Sequence, residues 1–152
     1  MTAPSTRSVS ETPQPRRTVP QPTPESQPFW DGCSRKELVI QRCNGCGRHW
    51  FPPSNRCQHC WSDNFEWLAV SGRGEVYTFT VYRRAYASEL VDQIPYVVAV
   101  VELAEGPRLI TNIVGCSPDH VRVGMPVEVT FVDVADSVML HAFRPRETKA
   151  TA

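Results

Sequence analysis

Short apolar segments separated by turn residues dominate the chain beyond residue 71. Some of them alternate apolar and polar positions and others are continuously apolar, and both patterns are typical of β-strands. A short helical turn with Ser117 as its cap falls between the third and the fourth segment. The five segments are 75–82, 96–103, 108–114, 127–131 and 138–143. Five strands with one helical insertion at that position predict a five-stranded OB-fold barrel over residues 71–145.

The first of these segments alternates clearly. The two faces that we expect are Tyr77, Phe79 and Val81 on one side and Val76, Thr78, Thr80 and Tyr82 on the other. Residues 71–74 contain two glycines and are predicted to form a turn or a bulge at a barrel corner before the strand. Residues 82–92 follow the strand and are predicted to form a long loop.

Large apolar residues first appear at Phe29 and Trp30. A short helix is predicted over residues 29–36, although Gly32 weakens it. Compact apolar runs predict strands over residues 37–43 and 64–70. The sequence therefore predicts a mainly β protein with two units, a helix and ribbon over residues 28–70 and the barrel that follows.

Residues 1–27 have a different composition. They hold six of the fourteen prolines and no aromatic residue, so they cannot bury enough surface to offset the entropy of ordering them. We expect a disordered, Pro-rich tail there, with a Pro-rich docking segment as the alternative. Residues 146–152 are expected to form a flexible C-terminal tail.

Two CxxC pairs lie within the helix and ribbon unit. The pairs are Cys43 with Cys46 and Cys57 with Cys60, and ten residues separate them. Two such knuckles supply the four thiolates of a tetrahedral site, which predicts a rubredoxin-like ribbon with one structural Zn²⁺. A closed shell of four thiolates leaves no position for a substrate. A unit of about forty residues also needs the metal in order to fold.

Other uses of these cysteines are less compatible with the sequence. Disulfides suit secreted chains, and a redox CxxC motif needs a βαβ pattern that is missing here. Iron in a rubredoxin-like site is the main alternative to zinc. Nearby His49 and His59 are not needed as ligands. Cys33 and Cys116 lie outside the knuckles and are expected to be small buried residues rather than reactive thiols.

The charge balance bears on the class of partner. Sixteen Lys and Arg oppose sixteen Asp and Glu, and residues 71–152 hold eight cations and ten anions, a sum of −2. This disfavours nucleic acid as a partner, because a barrel that follows phosphates needs a basic face. No apolar run reaches the roughly eighteen residues of a membrane span. Without a signal-peptide core, a cytoplasmic protein with no membrane partner is expected.

The order of these motifs resembles a known family. The matching features include the segments CNGCGRHWFPP, CQHC, SGRGEVYTFTVYRR, IPYVVAVVEL and GCSPDHVRVGMPVEV. They resemble the zinc-ribbon/OB-fold acyl-CoA-associated family, formerly a domain of unknown function, over about residues 28–145. The resemblance implies an accessory subunit that pairs with a thiolase, a condensing enzyme or a lipid-transfer-protein-type retro-aldolase and helps to form its acyl-CoA site. The long N-terminal tail departs from the family pattern.

Candidate ligand-binding residues lie in the loop after the first barrel strand. Arg83 and Arg84 suit the phosphates of an acyl-CoA, while Tyr86 suits its pantetheine or adenine part. Tyr96, at the start of the next strand, completes the candidate set for binding acyl-CoA or the partner. A solvated loop with no ligand is the alternative.

The sequence gives no strong candidate for catalysis. His120 and His141 are possible general bases, but lone histidines are more often structural. The chain is therefore expected to be non-catalytic on its own, as one subunit of a hetero-oligomer. A single-stranded nucleic-acid-binding OB module and a scaffold without ligand contact stay open as alternatives.

Overall fold

The computed structural model describes residues 19–135 and 138–147. Over these residues the chain forms one α-helix, eight β-strands and two short 3-10 helices. The helix α1 spans Gln27–Ser34, and the strands are β1 Val39–Cys43, β2 His49–Trp50, β3 Phe65–Ala69, β4 Arg73–Tyr82, β5 Tyr96–Leu103, β6 Arg108–Ile113, β7 Pro126–Ala135 and β8 Val138–Pro145. The 3-10 helices are Ser88–Gln93 and Pro118–His120. Most of both proposed tails, residues 1–18 and 148–152, lies outside the described residues.

A small antiparallel sheet forms the N-terminal part, with the strand order β2-β1-β3. The helix α1 packs closely over β1. A Cβ built on Gly32 would lie 2.7 Å from Cγ2 of Val39, so the glycine permits an approach that a side chain would prevent. Gly32 therefore serves the packing of a helix that it was expected only to weaken. The helix lies two residues earlier than predicted, with Pro28 in its first turn.

The remaining five strands close into a barrel in the order β4-β5-β6-β8-β7, with β7 paired back to β4. Every pair is antiparallel except β6 with β8. The 3-10 helix Pro118–His120 lies between β6 and β7, and the Ser117 side chain accepts a hydrogen bond from the Asp119 N–H. The predicted five-stranded OB-fold barrel with its helical insertion is thus confirmed.

The alternation predicted for β4 is wrong in its first half. The register with β5 shifts between Val76 and Thr78, which marks a β-bulge. Val76 is 1% exposed and points into the barrel, while Tyr77 in the bulge is 49% exposed. The bulge therefore places Val76 inside with Phe79, because the extra residue reverses the alternation.

Two other local predictions also differ from the structure. Residues 73 and 74, which were expected in a turn, are the first residues of β4 and pair with β7. The loop after β4 contains the 3-10 helix Ser88–Gln93, which was not predicted because six residues are too few to show a periodic pattern.

One hydrophobic core joins the N-terminal part to the barrel. Phe29 and Cys33 of α1 and Ile40 of β1 belong to the same buried cluster as Val101 and Phe143 of the barrel. The ring of Phe29 also lies 5.3 Å from that of His141 on β8. The ribbon is therefore fixed to the barrel by shared apolar packing.

Within the part of the chain that the structure describes, no helix has the length and apolar character needed to cross a membrane.

Gly72, just before β4, offers a test of how closely the chain packs against Val129 of β7 where it enters the barrel. Its φ is +72° and an added Cβ would overlap Cγ1 of Val129, whereas Gly124 has φ +83° and no atom within 4 Å of an added Cβ. Gly72→Ala is expected to lower the free energy of unfolding by about 2–4 kcal/mol, from left-handed strain plus the overlap. The matched variant Gly124→Ala should cost only about 1 kcal/mol. Urea unfolding compares the two, and equal losses would contradict the close packing at Val129.

Candidate functional site

The four cysteines of the two CxxC pairs meet at one end of the small sheet. Cys43 ends β1, Cys46 follows it, and Cys57 and Cys60 lie in the segment between β2 and β3. The four Sγ atoms all lie within 4.8 Å of one another. The Sγ of Cys43 is 3.5 Å from that of Cys60, and the Sγ of Cys46 is 3.6 Å from that of Cys57.

Both knuckles have the same backbone geometry. The Gly45 N–H donates to Sγ of Cys43 at 3.2 Å, and the His59 N–H donates to Sγ of Cys57 at 3.3 Å. Each knuckle ends in the left-handed region, at Gly47 with φ +75° and at Trp61 with φ +63°. The backbone amides aimed at sulfur indicate that the knuckles are shaped to hold thiolates.

The thiols differ in acidity because their surroundings differ. The backbone N–H of Cys46 is the main cause that lowers the pKa of Cys43. Burial acts to raise this pKa and the Gly45 N–H to lower it, and the net result is a pKa of about 6. For Cys60 the Ser62 N–H acts to lower the pKa, but the neighbouring Cys43 and the other thiols together with burial raise it to about 11. A cluster with this spread holds some protons when it is bare and releases them when a cation binds.

The donor set fits a zinc ion. A tetrahedral ion with Zn–S bonds of about 2.3 Å needs sulfur atoms about 3.8 Å apart, which is close to the shortest separations here. Cys43 and Cys57 are fully buried, while Cys46 and Cys60 face solvent. Four cysteines would fill the coordination shell, and the thiolates would be its only protein ligands. Neither His49 nor His59 belongs to this donor group.

A buried polar network holds the second knuckle against β1. Gln41 is 2% exposed. Its Nε2 donates to the Ser54 carbonyl at 2.8 Å and its Oε1 accepts from the Ser54 N–H at 2.9 Å. The Trp50 Nε1 donates to Oγ of Ser54 at 3.1 Å. Sequence analysis missed Gln41, and its only signal there was a polar residue inside an apolar strand.

The candidate binding residues are only partly brought together. The ring of Tyr96 stacks on that of Tyr82 with centroids 5.0 Å apart, and Tyr86 meets Tyr82 edge-on at 5.9 Å. Tyr82, which sequence analysis did not select, therefore links the two predicted tyrosines. Arg83 forms an exposed ion pair with Asp119 at 3.4 Å.

The other Arg of this loop, Arg84, is exposed. Neighbouring Tyr86 is 76% exposed. The loop thus presents a guanidinium and an aromatic ring to solvent, beside the paired Arg83. Such an arrangement suits recognition of a flat or anionic group.

His141 is unsuited to general base chemistry. Burial beneath α1 lowers its pKa. The hydrogen bond that Nε2 donates to the Ile110 carbonyl at 3.3 Å acts in the opposite direction but is the smaller effect. Its Nδ1 is buried without a hydrogen-bond partner among the described residues. The thiols of Cys33 and Cys116 are not activated either, because burial raises the pKa of both, to about 11 for Cys33.

A four-cysteine ribbon packed on a five-stranded barrel defines a zinc-ribbon/OB-fold protein. Family models match two consecutive parts of the chain, namely the rubredoxin-like zinc ribbon domain of ChsH2 over residues 30–66 and the C-terminal OB-fold domain of ChsH2 over residues 67–132. The chain belongs to this ChsH2-type, DUF35 family of zinc-ribbon/OB-fold proteins.

Several relatives are similar over most of the chain. A DUF35 domain-containing scaffold protein of Methanocaldococcus jannaschii is 38% identical over 112 residues, covering 70% of this chain and 79% of the archaeal one. A probable enoyl-CoA hydratase alpha subunit of Thermomonospora curvata is 39% identical over 118 residues, which are 77% of this chain but 36% of that subunit. The benzoylsuccinyl-CoA thiolase subunit BbsA of Thauera aromatica is 30% identical over 96 residues, with 63% and 64% coverage.

One solved structure is similar throughout the described fold. A chain of the Ltp2-ChsH2(DUF35) aldolase superimposes with a TM-score of 0.75 at 36% identity, covering 83% of this chain and 98% of that one. The present chain spans about a third of the hydratase subunit but nearly all of this aldolase chain. The similarity therefore concerns the ribbon and barrel rather than any further domain of the hydratase.

The metal centre predicts one zinc ion per chain. Cys43→Ser should abolish zinc binding and unfold the ribbon, because the metal supplies folding free energy that a unit of this size lacks. Cys116→Ser, outside the knuckles, is the matched control and should keep its zinc. Elemental analysis measures the metal, and the intrinsic tryptophan fluorescence reports the ribbon, because three of the four tryptophans, among them the buried Trp50 beside Cys43 and Cys57, lie in it. Iron in place of zinc, or full zinc content in Cys43→Ser, would contradict the assignment.

His141 predicts a pH dependence of stability. Its folded-state pKa lies below the ordinary 6.5, so the unfolded chain binds more protons as pH falls through 6.5. The free energy of unfolding should therefore fall by up to about 1.4 kcal/mol per pH unit below 6.5 from this group. His141→Gln should flatten that slope in urea unfolding between pH 7.5 and 5.5, while the exposed His120→Gln should not. Parallel slopes for all three proteins would refute the account.

Proposed function

We propose that this chain is a non-catalytic accessory subunit that binds a thiolase-like enzyme and helps to form its acyl-CoA site, in carbon-carbon bond formation or cleavage. The observation that carries the proposal is the 36% identity, over 98% of the other chain, to the chain of an Ltp2-ChsH2(DUF35) aldolase. The presence of a scaffold protein and of a thiolase subunit among the relatives supports it. The partner would be a thiolase, a condensing enzyme or a lipid-transfer-protein-type retro-aldolase, in a hetero-oligomer with this chain.

Zinc has a structural role in this proposal. Cys43, Cys46, Cys57 and Cys60 would hold one Zn²⁺, which closes the ribbon and leaves no coordination position for a substrate. When bound, the ion would cross-link the two knuckles. Reduced thiols are needed for this, which agrees with a cytoplasmic location.

The loop between β4 and β5, which we call the recognition loop, would contribute to the acyl-CoA site through a few polar and aromatic contacts. Arg84 and Arg83 carry guanidinium groups that bind phosphate oxygens in pairs, and the ion pair of Arg83 with Asp119 is exposed enough to exchange partners. Tyr86 offers an exposed ring, and Tyr96 supports it through the stack with Tyr82. We assign Arg83, Arg84, Tyr86 and Tyr96 to binding acyl-CoA at the boundary with the partner.

The alternative function, binding of single-stranded nucleic acid, is disfavoured by charge. OB-fold barrels that bind such strands combine stacking aromatic rings with a positively charged groove. The tyrosines provide rings, but residues 71–152 sum to −2 and offer no excess of cations. A ligand recognised by a few planar contacts fits this charge pattern better than a polyanion.

Paired arginine variants test the proposed acyl-CoA contact. Arg83→Ala/Arg84→Ala should lower kcat/KM of the complex with its thiolase-like partner by at least about tenfold, because charged hydrogen bonds to phosphate are lost. Arg73→Ala/Arg122→Ala removes the same charge from two other exposed positions and should leave the rate within about twofold. Thermal unfolding checks that both variants are folded. If the first variant turned over acyl-CoA and bound the partner normally, the loop assignment would be wrong.

A further inference from the structure

The outer surface of the barrel strands β4, β5 and β6 is unusually apolar. After the bulge in β4, the cross-strand pairs run Thr78 with Val100, Thr80 with Val98 and Tyr82 with Tyr96, and β5 pairs in turn with β6. We call the outward residues of these rows the three-strand face. Its members are Thr78, Thr80, Tyr82, Tyr96, Val98, Val100, Ile110 and Asn112.

Strand β5 is apolar on both of its sides. Val97, Ala99 and Val101 point inward and are buried, while Val98 and Val100 alternate with them and lie on the outside. A strand of an antiparallel barrel with one solvated side normally carries polar residues there, and an apolar run on both sides is typical of strands that are covered on both. No element of the described chain covers this side of β5, where both valines are partly exposed.

The most exposed aliphatic side chain of the face lies at the centre of β6. Ile110, which lies opposite Val100, is 72% exposed. Beside it, the Asn112 side chain donates to the Val97 carbonyl at 2.9 Å and so uses a donor that would otherwise face solvent. The β5 and β6 part of the face thus consists mainly of aliphatic groups, and the exposed hydroxyls of Thr78 and Thr80 lie beside it on β4.

The charged groups at the borders of the face are already paired. At one end Arg108 forms an ion pair with Glu102 at 2.8 Å and lies 3.7 Å from the centroid of the Tyr77 ring. At the other end Arg83 pairs with Asp119. The eight residues of the face carry no formal charge. The face itself therefore favours a neutral, apolar occupant, because a nucleic acid or a lipid headgroup would find no cation among its eight residues.

We propose that the three-strand face is the surface on which the thiolase-like subunit docks, through a neutral apolar patch of its own. This rests on the accessory function proposed above. The stacked Tyr82 and Tyr96 belong to the face and flank the recognition loop, and Tyr82 also contacts Tyr86, so a partner seated on the face lies beside Arg84 and Tyr86 as well. An apolar centre with paired charges at its border is the usual anatomy of a protein–protein interface.

The test inserts a charge at the centre of the face. Ile110→Asp and Ile110→Arg are each expected to raise the Kd for the thiolase-like subunit by at least about tenfold, because either charge would be desolvated on docking. Val123→Asp is the matched control, since Val123 is 65% exposed in the turn before β7, outside these three strands. The Kd is measured by isothermal titration, and thermal unfolding of the free chains checks that the exposed substitutions leave the barrel folded.

The outcomes separate this proposal from the accessory function. Normal binding by both Ile110 variants would overturn the docking face and leave the accessory function standing, whereas a wild-type chain that binds no thiolase-like enzyme would overturn both. Weaker binding by Ile110→Asp with tighter binding by Ile110→Arg would also overturn the proposal, because contact would then depend on charge. Sedimentation of the free wild type tests whether a second copy of this chain occupies the face. A dimer that Ile110→Asp dissociates would overturn the proposal, because the face would then bind its own copy rather than the thiolase-like subunit.

Discussion

The four-thiol cluster is the constraint on which the N-terminal half depends. Besides the core that it shares with the barrel, the ribbon has one small hydrophobic cluster, in which Trp50 and Phe65 pack around Cys43 and Cys57. Without a cation, four thiols within 4.8 Å of one another gain nothing from their proximity. With a cation, they fix the end of β1, and Ile40 of β1 and the preceding Leu38 belong to the core shared with the barrel. The metal centre therefore helps to hold the N-terminal part on the shared core, because β1 connects the two.

Spacing and periodicity predicted the main elements because each depends on local chemistry. The two CxxC pairs predict knuckles wherever they fold, and the apolar runs of β5 and β6 predict strands within a residue of those observed. The bulge at Tyr77 was missed because it is defined by register against another strand. For the same reason the Gln41 network and the stack of Tyr82 on Tyr96 were not predicted, since each joins residues that are distant in sequence.

The candidate binding residues show the same limit. Arg83, Arg84 and Tyr86 were chosen because a rigid barrel presents a mixed loop well, and the structure leaves these side chains exposed. Composition alone did not reveal that Tyr82 supports two other tyrosines or that Asp119 pairs with Arg83. The continuous apolar run of β5 predicted a strand, but a single-layered barrel covers only the inner side of that strand. We therefore interpret the apolar residues on the uncovered side of β5 as part of a surface that binds another protein.

Native mass spectrometry of the chain isolated from its source is the most direct test of the account. An accessory subunit predicts a hetero-oligomer that contains a thiolase-like enzyme, in which each copy of this chain carries one zinc ion on its four cysteines. A chain that is found alone, or bound to nucleic acid, under conditions in which the zinc is retained would contradict the central claim.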